Sequence, residues 1–141
     1  KENIKILIKA HPDYEVETLI RVFGRNHWPN RFEIFSGSFF EAIYRARFVI
    51  SANSSSMIEV VAFGIPLIFL GSQMTLNQDM LSDLDTDMVS KCYSPGELVS
   101  AINRFMDLPL DKIGEYSQSG NKIRDLFFEP VNERTLSAFI N

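Results

Sequence analysis

The sequence predicts an α/β fold, a parallel sheet with helices on both faces, and three observations carry the prediction. Short apolar runs at residues 4–10 (IKILIKA), 47–51 (RFVIS) and 66–70 (PLIFL) have no solvent face and read as buried parallel strands. Between them lie segments whose apolar residues recur at helical spacing. Gly, Pro, Ser and Asn punctuate the boundaries. The 141 residues suit one domain, 1–141. With 45% hydrophobic and 23% charged residues, the balance is globular and excludes a disordered, collagen-like or coiled-coil chain.

The first strand, 4–10, ends at His11-Pro12, a turn signal. Val16, Leu19, Ile20 and Phe23 then mark one face of a helix that Gly24 is placed to end. Residues 32–35 form a short second strand, and Ser36-Gly37-Ser38 opens a helix carrying Phe39, Phe40, Ile43 and Ala46. After the third strand, Asn53-Ser54-Ser55-Ser56 is a dense helix-start signal. The helix that follows, 57–63, is apolar nearly all round and hence buried. Gly64 stops it before the fourth strand. Residues 71–87 read as irregular and acidic, and 88–93 as a fifth strand. Ser94-Pro95 opens a helix with Leu98, Ile102 and Phe105 inward. Two further helical stretches carry Ile113, Tyr116, Ile123 and Phe127, then Leu136, Phe139 and Ile140. The sequence contains no internal repeat or low-complexity tract.

Charge and cysteine usage narrow the partners. The net charge of −4 argues against a nucleic-acid binder. Residues 1–47 hold eight Lys/Arg against six Asp/Glu, a balance of +2, and residues 48–141 hold six against twelve, a balance of −6. Cys92 stands alone, reads as a buried hydrophobe and fits a reducing compartment. The longest apolar run, 60–70, is interrupted by Gly64 and Pro66 and falls short of the roughly 20 residues a bilayer requires. The expected location is the cytoplasm, with a parent protein peripheral at the inner membrane. Because Lys1 stands directly before a strand, the chain reads as a piece of a longer protein.

Ligands of parallel sheets bind outside the carboxyl ends of the strands. Two loops there are chemically distinctive, His11-Pro12 and the serine loop at 51–56. Ser54, Ser55 and Ser56 place hydroxyls and backbone N–H groups at a helix N-terminus, a phosphate site that needs no Lys. The alternative is structural: Ser56-x-x-Glu59 is also a capping box, which satisfies the first-turn donors without a ligand. A cap uses one Ser, and this loop has three plus Asn53. Asp85-Thr86-Asp87 spells D-x-D but reads as a solvated acidic turn. His27, beside Trp28-Pro29, reads as surface structure, and Arg45 and Arg47 stand at the wrong end of the third strand for a donor phosphate. Gly71-Ser72-Gln73 stands at the correct end, after the fourth strand, where Gly71 would touch a base or sugar.

Residues 54–66 (SSSMIEVVAFGIP) resemble the donor-binding signature of GT-B glycosyltransferases. The signature is a Ser-rich helix start, then E-x-x-A-x-G-x-P, here Glu59, Ala62, Gly64 and Pro66, then a buried strand. Lys9-x-His11-Pro12 is similar to the K-x-H-P of one branch, the bacterial sialyl- and polysialyltransferases and related polyol-phosphate transferases of surface polysaccharides. The resemblance covers residues 4–106 and implies the Rossmann-like, C-terminal half of a two-domain fold. It implies that the three Ser hold the donor phosphate, that Glu59 binds ribose hydroxyls, and that His11, with Pro12 beside it, contacts the leaving phosphate. The implied donor is a CMP- or UDP-linked sugar, used without a metal or other cofactor. The acceptor, a glycan or lipid-linked glycan, and the general base would belong to an N-terminal half toward which residues 112–141 pack. Phe127, Phe128 and Phe139 are then expected to be exposed. The alternatives are one half of a sugar-nucleotide 2-epimerase and a non-catalytic α/β binding domain. If the strands are parallel, His11 and the serine loop leave the same sheet edge and converge on one phosphate.

Overall fold

The computed structural model describes residues 4–11, 18, 20, 21, 30–74, 81, 82 and 84–140, the last three of these by their backbone only. The chain divides into two compact units, Lys1–Arg45 and Ala46–Asn141. The helix read over Val16, Leu19 and Phe23, together with Gly24, Pro12, His27 and Trp28, lies outside the described residues.

In the first unit, β1 (Ile6–Ile8) pairs in parallel with β2 (Phe32–Ile34), Leu7 opposite Glu33. The ladder is closed by Ile6 N–H to the Arg31 carbonyl at 2.8 Å and Phe35 N–H to the Ile8 carbonyl at 2.9 Å. Lys5 and Glu33 form an ion pair across the two strands. Helix α1 (Phe39–Tyr44) begins where the sequence signals it, at Ser38. Ser38 is extended, with ψ 161°, so its hydroxyl reaches the Glu41 N–H at 3.2 Å while Glu41 Oε2 accepts from Ser38 N–H at 2.7 Å. The Ser38 N–H holds the Glu41 carboxyl below its ordinary range. The helix ends at Arg45, before Ala46, and the Arg45 guanidinium sits 5.1 Å from the centre of the Phe35 ring.

The second unit contains β3 (Val49–Ser51), α2 (Met57–Ala62), β4 (Leu67–Leu70), β5 (Val89–Cys92), α3 (Pro95–Met106), α4 (Leu110–Phe127) and α5 (Glu133–Ile140). Its sheet order is β3-β4-β5, all parallel, with Ser51 opposite Phe69 and Phe69 opposite Lys91. Leu67, Ile68 and Phe69 are consecutive and each at most 1% exposed. Successive strand residues face opposite sides, so both faces of β4 are covered. Met57, Val60 and Val61 of α2 and Phe105 of α3 complete this core with Leu81 and Met88. The fold is therefore α/β, with parallel strands and flanking helices, as the sequence predicts.

Residues 47–51 and 66–70 are neighbouring parallel strands, and β1 is hydrogen-bonded to β2 within the first unit, but the expectation that all three runs are buried needs correction. Ile6 is 39% and Ile50 43% exposed, whereas β4 is buried from Leu67 to Phe69. A central strand is paired on both edges and covered on both faces. β3 is paired with β4 alone among the described strands, and its apolar run does not mean full burial.

Gly64 ends α2 with φ +72°, a left-handed conformation that glycine adopts without steric cost. Buried Gly120 of α4 faces that same turn. A Cβ on Gly120 would lie 2.7 Å from Gly64 Cα and 2.9 Å from the Val61 carbonyl oxygen. Helix α4 thus presents Tyr116, Gly120 and Ile123 inward, at the i, i+4, i+7 spacing of one helix face, while Leu126, Phe127 and Phe128 are exposed. Val131 and Leu136 are exposed as well, and the Phe139 side chain lies outside the described residues. Among the described residues no helix is long and apolar enough to cross a membrane.

Candidate functional site

The serine loop is a tight turn at the carboxyl end of β3. Ala52 leads into Asn53, whose φ of 47° is left-handed, a conformation Asn tolerates better than most residues. The chain then winds up early. Met57 N–H donates to the Ser54 carbonyl at 3.2 Å and Ile58 N–H to the Ser55 carbonyl at 3.3 Å, before Val60 N–H to the Ser56 carbonyl starts the α-helical pattern.

This winding bears on the capping reading of Ser56-x-x-Glu59. The chain has three Ser-x-x-Glu helix starts, and the other two cap. Ser38 and Ser94 are extended (ψ 161° and 157°), and each hydroxyl accepts from the N–H three residues on. Ser56 has φ −64° and ψ −7°, already helical, and makes no side-chain cap hydrogen bond. A helical residue points its side chain along the helix surface rather than over the first turn, so the expected capping box does not form. Instead the Ser54 and Ser56 hydroxyls lie 2.7 Å apart, half-buried, while Ser55 is exposed. Glu59 is half-buried in the first turn of α2. The Ser56 hydroxyl is therefore not spent on capping the helix. With six residues, α2 has fewer than two turns, so its aligned dipoles add less than a long helix would. Any anion here would be held chiefly by hydroxyls and nearby N–H groups.

Gly71 follows β4 on the adjacent strand. Its N–H donates to the Cys92 carbonyl at 2.9 Å, extending the β4–β5 ladder, and the Tyr93 ring lies directly on it. Ser72 accepts from Met74 N–H at 3.1 Å. Tyr93 escaped the sequence reading, and the signal available for it was an aromatic residue placed directly after a strand. His11 is exposed at the carboxyl end of β1, in the first unit. The structure thus gathers Ser54, Ser55, Ser56 and Glu59 on one turn, with Gly71 at the neighbouring strand end.

The remaining sequence candidates have structural duties. Arg47 donates to the Phe105 and Leu108 carbonyls, both at 3.1 Å, placing a cation at the C-terminal end of α3. Asp87 of the D-x-D sequence anchors the turn before β5. Its carbonyl accepts from Arg104 and, at 3.2 Å, from the Tyr116 hydroxyl, while its carboxylate lies 3.2 Å from Lys112 Nζ. Lys112 also pairs with Glu115 at 2.6 Å, and the two carboxylates push its pKa well above the ordinary lysine value. Among the described residues no group of three or more His, Cys, Asp or Glu could hold a metal. Cys92 is buried, and burial pushes its thiol pKa up, as befits a core side chain. A shallow depression of about 440 Å³ lies between β5 and α3, but no residue of the serine turn lines it.

Comparison with known protein families, curated proteins and solved structures returns no match.

Proposed function

We propose that this chain is the donor-nucleotide-binding half of a GT-B glycosyltransferase that builds a bacterial surface glycan. The full protein would transfer a sugar, or a polyol phosphate, from a CMP- or UDP-linked donor to a glycan or lipid-linked acceptor held by its other half. The observation that supports this reading best is the serine turn. At the carboxyl edge of a parallel sheet, where ligands of such sheets bind, three serines share one turn, the Ser54 and Ser56 hydroxyls meet, and Ser56 makes no cap hydrogen bond.

Cleavage of a glycosyl donor builds negative charge on the leaving phosphate. Donors already aimed at that charge lower the barrier without reorganising. Ser54, Ser55 and Ser56 would take the phosphate oxygens. Glu59, one residue beyond the first N–H groups, would repel phosphate but suits two ribose hydroxyls as an acceptor. The resemblance assigns His11 to the leaving phosphate as a charge-assisted donor, with Pro12 shaping that loop. The acceptor's general base would come from the other half, so the chain binds donor without turnover.

Titration of the purified chain with CMP, UMP and sulfate, by calorimetry or amide NMR shifts, tests the reading. Ser55→Ala should weaken all three. Glu59→Gln should weaken the nucleotides and leave sulfate equal or tighter, because it removes a ribose acceptor and a repelling charge together. A chain in which CMP and UMP leave the 53–59 amides unmoved is not a donor-binding half.

A further inference from the structure

The carboxyl edge of the β3-β4-β5 sheet carries an aromatic side chain that the core does not use. Tyr93 follows β5 directly and is 39% exposed. Its ring lies on the backbone of Gly71, so closely that a Cβ on residue 71 would stand 2.6 Å from Tyr93 Cδ1 and closer still to Cε1. Only glycine at 71 admits the ring in this position. The main chain on which the ring is mounted is held at both residues. Gly71 N–H is fixed on the Cys92 carbonyl, and Tyr93 N–H donates to Glu97 Oε2 at 2.7 Å. One edge of the ring lies against the Gly71 backbone, and the side chain is partly open to solvent.

This ring shares an edge with the serine turn. All three strands run the same way, and the register aligns Ser51 with Phe69 and Phe69 with Lys91. Tyr93, two residues past Lys91, therefore stands at the carboxyl edge two strand spacings, roughly 10 Å, across the sheet from β3. That separation is comparable to the reach of a nucleoside monophosphate from its phosphate to its base. The serine turn and Glu59 offer hydroxyls and a carboxylate, which suit phosphate and ribose but give a base nothing to stack on.

We propose that the Tyr93 ring, seated on Gly71, is the platform on which the donor's base stacks, an inference that rests on the donor-nucleotide reading of the serine turn. Stacking on an aromatic face is tolerant of base identity, so Tyr93 supplies affinity for a base rather than the choice among bases. It also gives Gly71 its role: the glycine meets the base only through the ring it carries.

The test compares CMP with ribose 5-phosphate on the intact chain, on Tyr93→Phe and on Tyr93→Leu. The intact chain should bind CMP more tightly than ribose 5-phosphate, and CMP should move the Tyr93 ring-proton resonances upfield. Tyr93→Phe should keep the CMP affinity. Tyr93→Leu should lose roughly 5- to 150-fold in CMP affinity, the span of one base–aromatic stack, with ribose 5-phosphate unchanged. Equal losses for both ligands in Tyr93→Leu would make the ring a structural cover for the ladder end and overturn the proposal, as would no loss at all. Should Tyr93→Leu fail to fold, the ring-proton shifts in the intact chain decide. A chain that binds CMP and ribose 5-phosphate equally, with the ring resonances still, refutes stacking but leaves the donor-site reading standing. Absence of any CMP binding defeats both.

Discussion

Two glycines in one helix should respond in opposite directions to the same substitution. Gly120 of α4 is buried against the turn that ends α2, and an added methyl would lie 2.7 Å from Gly64 Cα and 2.9 Å from the Val61 carbonyl oxygen. Carbon–carbon contacts settle at about 3.5–4.0 Å, so α4 would have to back away by roughly 1 Å. The atoms in the way are backbone, which cannot swing aside as a side chain can. Overpacking costs about 1–3 kcal/mol, and with backbone atoms in the way the upper part of that range applies, about 2–3 kcal/mol, against which alanine returns up to about 1 kcal/mol of helix propensity. Gly120→Ala should therefore lose roughly 1–2 kcal/mol net. Gly114, six residues earlier and exposed, has no atom within 4 Å of the same methyl. Gly114→Ala should gain about 0.5–1 kcal/mol from the lower entropy of the unfolded chain. Urea unfolding followed by circular dichroism measures both, with m-values expected to stay unchanged because neither variant alters the surface that unfolding exposes. If Gly120→Ala were as stable as the parent, or if both variants moved the same way, the close crossing of α4 on the α2 turn would be wrong.

Three other outcomes follow from the same contacts. Ser38→Ala and Ser94→Ala should each cost about 1 kcal/mol in urea unfolding through loss of a cap, whereas Ser56→Ala should cost no more than a few tenths, because Ser56 caps nothing; equal costs at all three would restore the capping box. Glu97 is held below the ordinary carboxylate range chiefly by the Tyr93 N–H. Its folded pKa is depressed, so its contribution is complete above the unfolded value of 4.5 and lost as pH falls through the folded value. Glu97→Gln should accordingly show a shallower fall in stability below pH 4.5 than the parent, read from urea midpoints across the acid range. His11→Ala should weaken CMP by roughly 1.5–3 kcal/mol, the worth of a charge-assisted hydrogen bond; an unchanged isotherm would remove His11 from the donor site.

Local chemistry was legible in the sequence wherever a residue acts on its immediate neighbours. The caps at Ser38 and Ser94, the stop at Gly64 and the β4 run PLIFL all express preferences that need no distant partner. What depends on the third dimension was not. The run at 4–10 gives no sign that β1 pairs with β2, because hydrophobicity demands burial without naming a neighbour. Ser56 looks like Ser38 and Ser94 in sequence, yet Asn53 turns left-handed three residues before it and the helix winds up early, so the hydroxyl misses its target. Gly120 reads as an indifferent glycine in a helical pattern, and its meaning exists only in the crossing with α2. Tyr93 was overlooked for the same reason, since the glycine it rests on belongs to another strand.

The anchor of the turn before β5 has an implication for sequence drift. Arg104 and the Tyr116 hydroxyl both hold the carbonyl of Asp87, a group that every amino acid brings to that position. The conspicuous aspartate of the D-x-D sequence is thus the replaceable member: another residue there forfeits only the partnership with Lys112, an exposed ion pair of small worth. Constraint is transferred to positions 104 and 116, twelve residues apart on two different helices, neither of which resembles a motif. Mutational tolerance in this part of the chain should therefore run opposite to what the eye picks out, permissive at the acidic signature and strict at the arginine and tyrosine that grip the main chain beneath it.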